Sequence, residues 1–117
     1  MTNREVEEEL IELLKNNKDI TVIVEGKRDK EALCSLGFNK ILTIRKGIYE
    51  TTEGIEENDV LILTDFDSEG RKIAKKLNLI LQHLGYKLDK ETRRKVGLMF
   101  TKLKIRKIEE LRGVLYG

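Results

Sequence analysis

The chain has 117 residues, enough for one domain with a single core and too few for two. Hydrophobic residues make up 39% of it and charged residues 38%, a balance that excludes disorder as the default, and the net charge is only +2. No apolar run approaches the roughly 18 residues of a membrane span. The single cysteine excludes an internal disulfide, and the single histidine excludes a His-rich zinc site. We therefore expect a cytoplasmic protein without a membrane partner.

Helical and strand patterns alternate along the chain. Alternation at this spacing is typical of βαβ units, so we expect an α/β fold with about four mainly parallel strands, flanked by helices and carrying extra N- and C-terminal helices. The first predicted element is a helix that a Thr2–Glu5 capping box opens. Strands are predicted at 20–24, 40–44, 60–64 and 86–88. Between and after them, helices are predicted at 28–36, within 48–58, at 68–84, after Asp89 and within 105–115.

Apolar spacing also predicts which side chains are buried. Cys34 stands among apolar neighbours and is expected to be a small core residue. In the helix at 68–84, one face is predicted to be buried, formed by Ile73, Leu77, Ile80, Leu81 and Leu84.

Acidic residues follow two of the predicted strands, each time with a glycine close behind. Glu25 and Gly26 come after the strand at 20–24, and Asp65, Asp67 and the Glu69–Gly70 pair come after the strand at 60–64. Ligands bind at the carboxyl ends of strands in open α/β sheets, so these acids are expected to meet at one edge. Crowded carboxylates repel one another unless a cation neutralises them, and hard divalent ions prefer oxygen ligands. The pattern therefore predicts a Mg²⁺ site, in which Mn²⁺ could substitute.

The two motifs, Glu25-Gly26-Lys27 and Asp65-x-Asp67-x-Glu69-Gly70, closely resemble those of the Toprim domain. That domain occurs in topoisomerases of types IA and II, bacterial primases, recombination mediators and several nucleases. The resemblance covers about residues 18–88 and implies a compact, Rossmann-like parallel sheet.

By this resemblance, Asp65 and Asp67 would bind metal, and Glu25 would act as general acid or base and help to hold the ion. Glu69 matches a third acidic position whose role varies within the family. Lys27 is placed with Glu25 in the predicted catalytic pair. A glutamate beside a metal-bound phosphodiester typically contributes about 10²–10⁴-fold in rate.

Basic residues near the same edge are predicted to hold the phosphates of RNA or DNA. Residues 89–117 carry nine Lys/Arg against four Asp/Glu, whereas residues 1–88 carry fourteen against seventeen. We therefore expect one domain over 1–117, with a Toprim core at 18–88 and a basic helical extension at 89–117. The predicted nucleic-acid-binding residues are Lys27, Arg28, Arg45, Lys46, Arg71 and Lys75.

The chain departs from the larger family members. The separate domain that carries the nucleophilic tyrosine of topoisomerases has no counterpart here, and Tyr49, Tyr86 and Tyr116 are expected to be packing or rim residues. The zinc-binding module of primases is also lacking. The chain therefore resembles the small stand-alone archaeal and bacterial Toprim proteins, and in build the Toprim nuclease that matures ribosomal RNA.

Several functions remain open at this point. The first is a Mg²⁺-dependent nuclease or related phosphotransfer enzyme of RNA processing or DNA repair. The second is a non-catalytic nucleic-acid-binding or scaffold module that works through a partner protein. A third takes Asp65 and Asp67 as the nucleophile pair of a haloacid-dehalogenase-like phosphatase, although that pair usually ends the first strand and here follows the third.

Overall fold

A computed structural model describes residues 1–116, with side chains through residue 115, so Gly117 and the side chain of Tyr116 lie outside the described part. Its four strands are β1 (Thr21–Val24), β2 (Ile41–Thr43), β3 (Asp59–Ile62) and β4 (Lys87–Leu88). They form one sheet in the order β2-β1-β3-β4, and every neighbouring pair is parallel. The predicted fold class is confirmed.

Within residues 1–116, six α-helices and one 3₁₀ turn surround the sheet. The first helix begins after Thr2, whose hydroxyl and the Glu5 carboxylate form the predicted capping box. The helices are α1 (Asn3–Asn16), α2 (Lys27–Cys34), α3 (Ile48–Glu53), α4 (Ser68–His83), α5 (Lys90–Leu103) and α6 (Leu111–Tyr116), and a 3₁₀ turn at Ile108–Glu110 precedes α6.

Both faces of the sheet are covered, which explains why its central strands are continuous apolar runs. Val24 and Leu63 belong to a core cluster on the face covered by α1, α2 and α5. Ile23 and Ile62 point to the opposite face and pack with residues of α4. The side chains that follow the strands therefore emerge at a fixed sheet edge, held from both faces.

Two predictions of burial are wrong, and two further residues of the predicted buried face, Ile73 and Ile80, are only half-buried. Leu84 is 53% exposed because α4 ends at His83 and Leu84 is its C-cap, while Ala74 occupies an inward position instead. Cys34 is exposed because Ala32 and Leu33 occupy the inward positions at the end of α2.

The C-terminal helices pack onto the sheet layer. The fifth helix contacts α1 and β3, and the 3₁₀ turn contacts α2. The division at residue 88 stays a prediction. None of the helices within residues 1–116 is long and apolar enough to cross a membrane.

Candidate functional site

The two acidic motifs meet at the carboxyl edge of the sheet. Strands β1 and β3 are neighbours, and the Leu63 N–H donates to the Ile23 carbonyl at 2.8 Å, which extends their pairing toward this edge. Just beyond it, the Asp65 N–H donates to Glu25 Oε2 at 2.7 Å. Residues 40 positions apart in the chain are thus joined directly. We call the half-buried carboxylates of Glu25, Asp65 and Asp67 the acidic edge.

Asp65 is held from two sides. Its Oδ1 accepts a hydrogen bond from the Ile108 N–H at 2.8 Å, so the C-terminal segment also reaches the acidic edge. Burial raises the pKa of the Asp65 carboxyl, and the negative charge of Asp67 raises it further. Protonation relieves this repulsion, and so would a bound cation.

Asp67 caps helix α4. Its Oδ1 accepts from the Gly70 N–H at 2.8 Å, the usual role of an aspartate at a helix N-terminus. Gly70 packs so closely that an added Cβ would lie 2.1 Å from the Asp65 carbonyl oxygen. The helix start is therefore pressed against Asp65, and only glycine fits at position 70 without movement.

A further carboxylate, Asp29, was not among the predicted site residues. It is buried in the first turn of α2, where its Oδ2 accepts from the Gly26 N–H at 3.2 Å. Burial, with the charge of Asp65, raises the pKa of Asp29 to about 6. Burial likewise raises the pKa of Glu25, to which the charges of Asp65 and Asp29 add. The three-residue spacing from the N-cap Gly26 to Asp29 was the available signal.

The donor chemistry of the acidic edge fits a hard divalent cation, because every candidate ligand is a carboxylate oxygen and their charges oppose one another. The side chains are not arranged around a single point, however. Among residues 1–116, no three acidic, histidine or cysteine side chains are grouped to hold a metal ion. Glu25 and Asp65 are instead joined to backbone N–H groups.

The remaining predicted acid and two of the predicted bases lie on α4. Glu69 is exposed in the first turn and takes part in no hydrogen bond or ion pair within the described residues. Arg71 and Lys75 are exposed further along the same helix. Glu69 is therefore close to the acidic edge in sequence but forms no hydrogen bond with it in the described part of the chain.

The other predicted basic residues follow β1 and β2. Lys27 and Arg28 are exposed at the start of α2, where Arg28 lies 4.0 Å from Glu109. Arg45 and Lys46 line a groove beside β2 that also contains the acidic Glu50. None of these four side chains is hydrogen-bonded to the acidic edge in the described part of the chain.

Arg93 on α5 holds the backbone that carries the acidic edge. Its guanidinium donates to the carbonyls of Ile62 and Thr64 at 3.1 and 3.0 Å, and to the Asp65 carbonyl at 3.4 Å. It also lies 4.4 Å from the centre of the Phe66 ring. Burial lowers the pKa of Arg93 to about 10, with a contribution from the nearby cation of Arg71. No sequence pattern pointed to this residue, because its partners are backbone carbonyls about 30 positions away.

A scan against family models matches the Toprim domain over residues 20–101. A UPF0292 protein of Pyrococcus furiosus is 40% identical over 103 residues, which cover 86% of this chain and 77% of that protein. A UPF0292 protein of Methanocaldococcus jannaschii is 33% identical, covering 95% and 93%.

Among solved structures, a putative protein from Aquifex aeolicus superposes with a TM-score of 0.75 at 27% identity, covering 88% of this chain and 95% of that one. The residues that the family model matches include both motifs, which follow the neighbouring strands β1 and β3. The chain belongs to the Toprim domain family.

Proposed function

We propose that this Toprim protein is a Mg²⁺-dependent enzyme that cleaves or transfers nucleic-acid phosphodiesters in RNA processing or DNA repair, in the cytoplasm. Toprim domains typically bind Mg²⁺ and serve nucleic-acid metabolism. The observation that carries the proposal is the 2.7 Å contact of Glu25 with the Asp65 N–H, which joins the two motifs. A proton-transfer group and two metal-ligand candidates would then act on one phosphate.

In the proposed site, Asp65 and Asp67 bind Mg²⁺ or Mn²⁺, with Glu25 beside them and Glu69 available from the first turn of α4. Each of Asp65 and Asp67 uses one oxygen, Oδ1, for a backbone N–H, which leaves Oδ2 for an ion. The bound ion would neutralise charge on the phosphate oxygens and orient the attacking group.

Glu25 is proposed to move the proton. In the protein without metal, burial raises the pKa of Glu25, and a carboxyl whose pKa lies nearer the working pH is the more effective proton-transfer group. Glu25 Oε2 accepts from the Asp65 N–H, which leaves Oε1 to carry the proton to the substrate oxygen. Lys27, the third residue of the first motif, would assist by holding that oxygen. The neighbouring phosphates would contact Arg28, Arg45, Lys46, Arg71 and Lys75.

A second candidate is a non-catalytic nucleic-acid-binding or scaffold module. One observation favours it: the carboxylates are engaged by backbone N–H groups and do not form a ready-made metal cluster in the described residues. The haloacid-dehalogenase-like phosphatase has no such support, because the family is Toprim and Asp65 follows the third strand.

The test compares wild type with Glu25→Gln and Asp65→Asn on end-labelled RNA and DNA, with Mg²⁺, with Mn²⁺ and with chelator. We expect cleavage or joining that needs the metal and falls about 10²–10⁴-fold in each variant. Glu57→Gln, an exposed acid distant from the motifs, is the matched control. Binding that is equal in all proteins, with no reaction in any metal, would establish the module instead.

A further inference from the structure

A second groove opens beside the acidic edge, between the first turn of α4 and the end of α5. It has a volume of ≈ 450 Å³. Among the described residues, three cationic side chains and no carboxylate border it, unlike the groove beside β2, which contains Glu50. The lining residues are Phe66, Arg71, Thr101, Lys104, Ile105 and Arg106. We call it the basic groove.

The basic groove and the acidic edge share a wall. Phe66, which follows Asp65 directly, donates its N–H to the Arg106 carbonyl at 2.7 Å. Two residues later, the Ile108 N–H bonds Asp65 Oδ1. The same short segment therefore borders the groove on one side and touches the acidic edge on the other.

Lys104 stands where helix α5 ends. Lys104 has φ 58° and ψ 36° as the C-cap of α5, and it is the one non-glycine residue with positive φ in the described chain. Helices commonly end with glycine in this left-handed conformation, because glycine has no Cβ to clash. Lys104 therefore ends α5 at the rim of the basic groove.

We propose that the basic groove binds a phosphate group of the nucleic-acid strand, next to the phosphodiester that lies at the acidic edge; this rests on the proposed function. Arg71, Lys104 and Arg106 supply the charge, and Phe66 and Ile105 supply an apolar floor beneath the sugar. Lys104 and Arg106 are thereby assigned to substrate binding. The phosphate is either an internal phosphodiester or a terminal monophosphate.

The experiment measures binding of a fluorescent single-stranded oligonucleotide in chelator, where cleavage does not occur, over a range of salt concentrations. Wild type is compared with Arg71→Gln, Lys104→Gln and Arg106→Gln. The matched control is Lys102→Gln, an exposed lysine of α5 that does not line the groove. We expect each groove variant to bind about three- to tenfold more weakly and to lose about 0.7 from the salt slope, since one phosphate contact is removed. The control should change affinity less than about twofold.

Oligonucleotides with and without a 5′ or 3′ phosphate show whether the groove binds an internal phosphodiester or a terminal monophosphate. If the variants lose affinity equally with every oligonucleotide, the groove holds an internal phosphodiester. If the loss appears only with one phosphorylated end, it holds that terminal phosphate. Either pattern supports the proposal that the basic groove binds a phosphate group.

A Lys104→Gly variant separates strain from binding. Glycine relieves the left-handed backbone, so we expect a higher melting temperature together with weaker binding. The proposal is overturned if the groove variants bind as the Lys102→Gln control does. That outcome is distinguishable from failure of the proposed function, which would appear as intact, groove-dependent binding by a wild-type protein that cleaves nothing in Mg²⁺ or Mn²⁺.

Discussion

Acidic residues gather at both ends of the sheet, but in different surroundings. At the end where β1 and β3 begin, a cavity of ≈ 470 Å³ is lined by Asp19, Glu57, Asp59 and Asp89, among others. The first three are exposed, Glu57 is paired with Lys40, and Asp89 caps α5 by accepting from the Thr92 N–H. At the acidic edge, by contrast, the carboxylates are half-buried and bonded across two motifs. Burial and the hydrogen bond between the two motifs, rather than the number of carboxylates, therefore distinguish the acidic edge from the opposite end of the sheet.

The largest expected effect tests how tightly the acidic edge is packed. Gly70→Ala places a Cβ 2.1 Å from the Asp65 carbonyl oxygen, so backbone has to move. We expect the free energy of unfolding, measured with urea, to fall by about 3 kcal/mol. Gly26→Ala is the matched control, since no atom lies within 4 Å of its Cβ, and only a poorer N-cap, about 1 kcal/mol or less, is expected. Equal losses in both variants would contradict the packing described here.

The next prediction concerns the hydrogen bonds that Arg93 donates to the end of β3. Arg93→Met removes the hydrogen bonds to the carbonyls of Ile62, Thr64 and Asp65, and we expect a loss of about 2 kcal/mol in the same unfolding experiment. Arg94→Met, one residue along, removes only an exposed ion pair with Glu91 and should change stability little. A similar loss of unfolding free energy in the two variants would show that the hydrogen bonds of Arg93 make no specific contribution to stability.

A cation titration compares the two ends of the sheet directly. For a site with a dissociation constant of about 1 mM, about 10 mM Mg²⁺ should stabilise the protein by about 1.4 kcal/mol, read as a rise in melting temperature. Asp65→Asn should abolish the rise, and Asp59→Asn at the opposite end should leave it unchanged. The comparison fails if Asp59→Asn removes the stabilisation instead.

The last prediction concerns how the free energy of unfolding of the metal-free protein depends on pH. The folded pKa of Asp29, about 6, lies above its ordinary value of 3.8. Between these values the folded state binds more protons than the unfolded chain, so stability declines as pH rises from about 4 to about 6. We expect Asp29→Asn, which keeps an acceptor for the Gly26 N–H, to flatten this decline, measured as the free energy of urea unfolding at several pH values. An unchanged pH profile would contradict it.

Much of the fold could be predicted because it follows local patterns. Apolar β-branched runs marked β1 and β3, and the position of Glu25 and Asp65 after those runs predicted their meeting at one edge. Arg93 and the segment around Arg106 could not be predicted in the same way. They reach the site through backbone contacts over 28 to 43 positions, which leave no periodic signal in the sequence.

The cap that Asp67 provides for α4 has a mechanical consequence. One oxygen of Asp67 secures the Gly70 N–H, and the other is the one we assign to the ion. An ion bound there would share Asp67 with the N-terminus of α4. Ion binding would therefore order the first turn of α4, and ion release would loosen it. Slower amide hydrogen exchange at Gly70 in the presence of Mg²⁺ would make that attachment visible without any substrate.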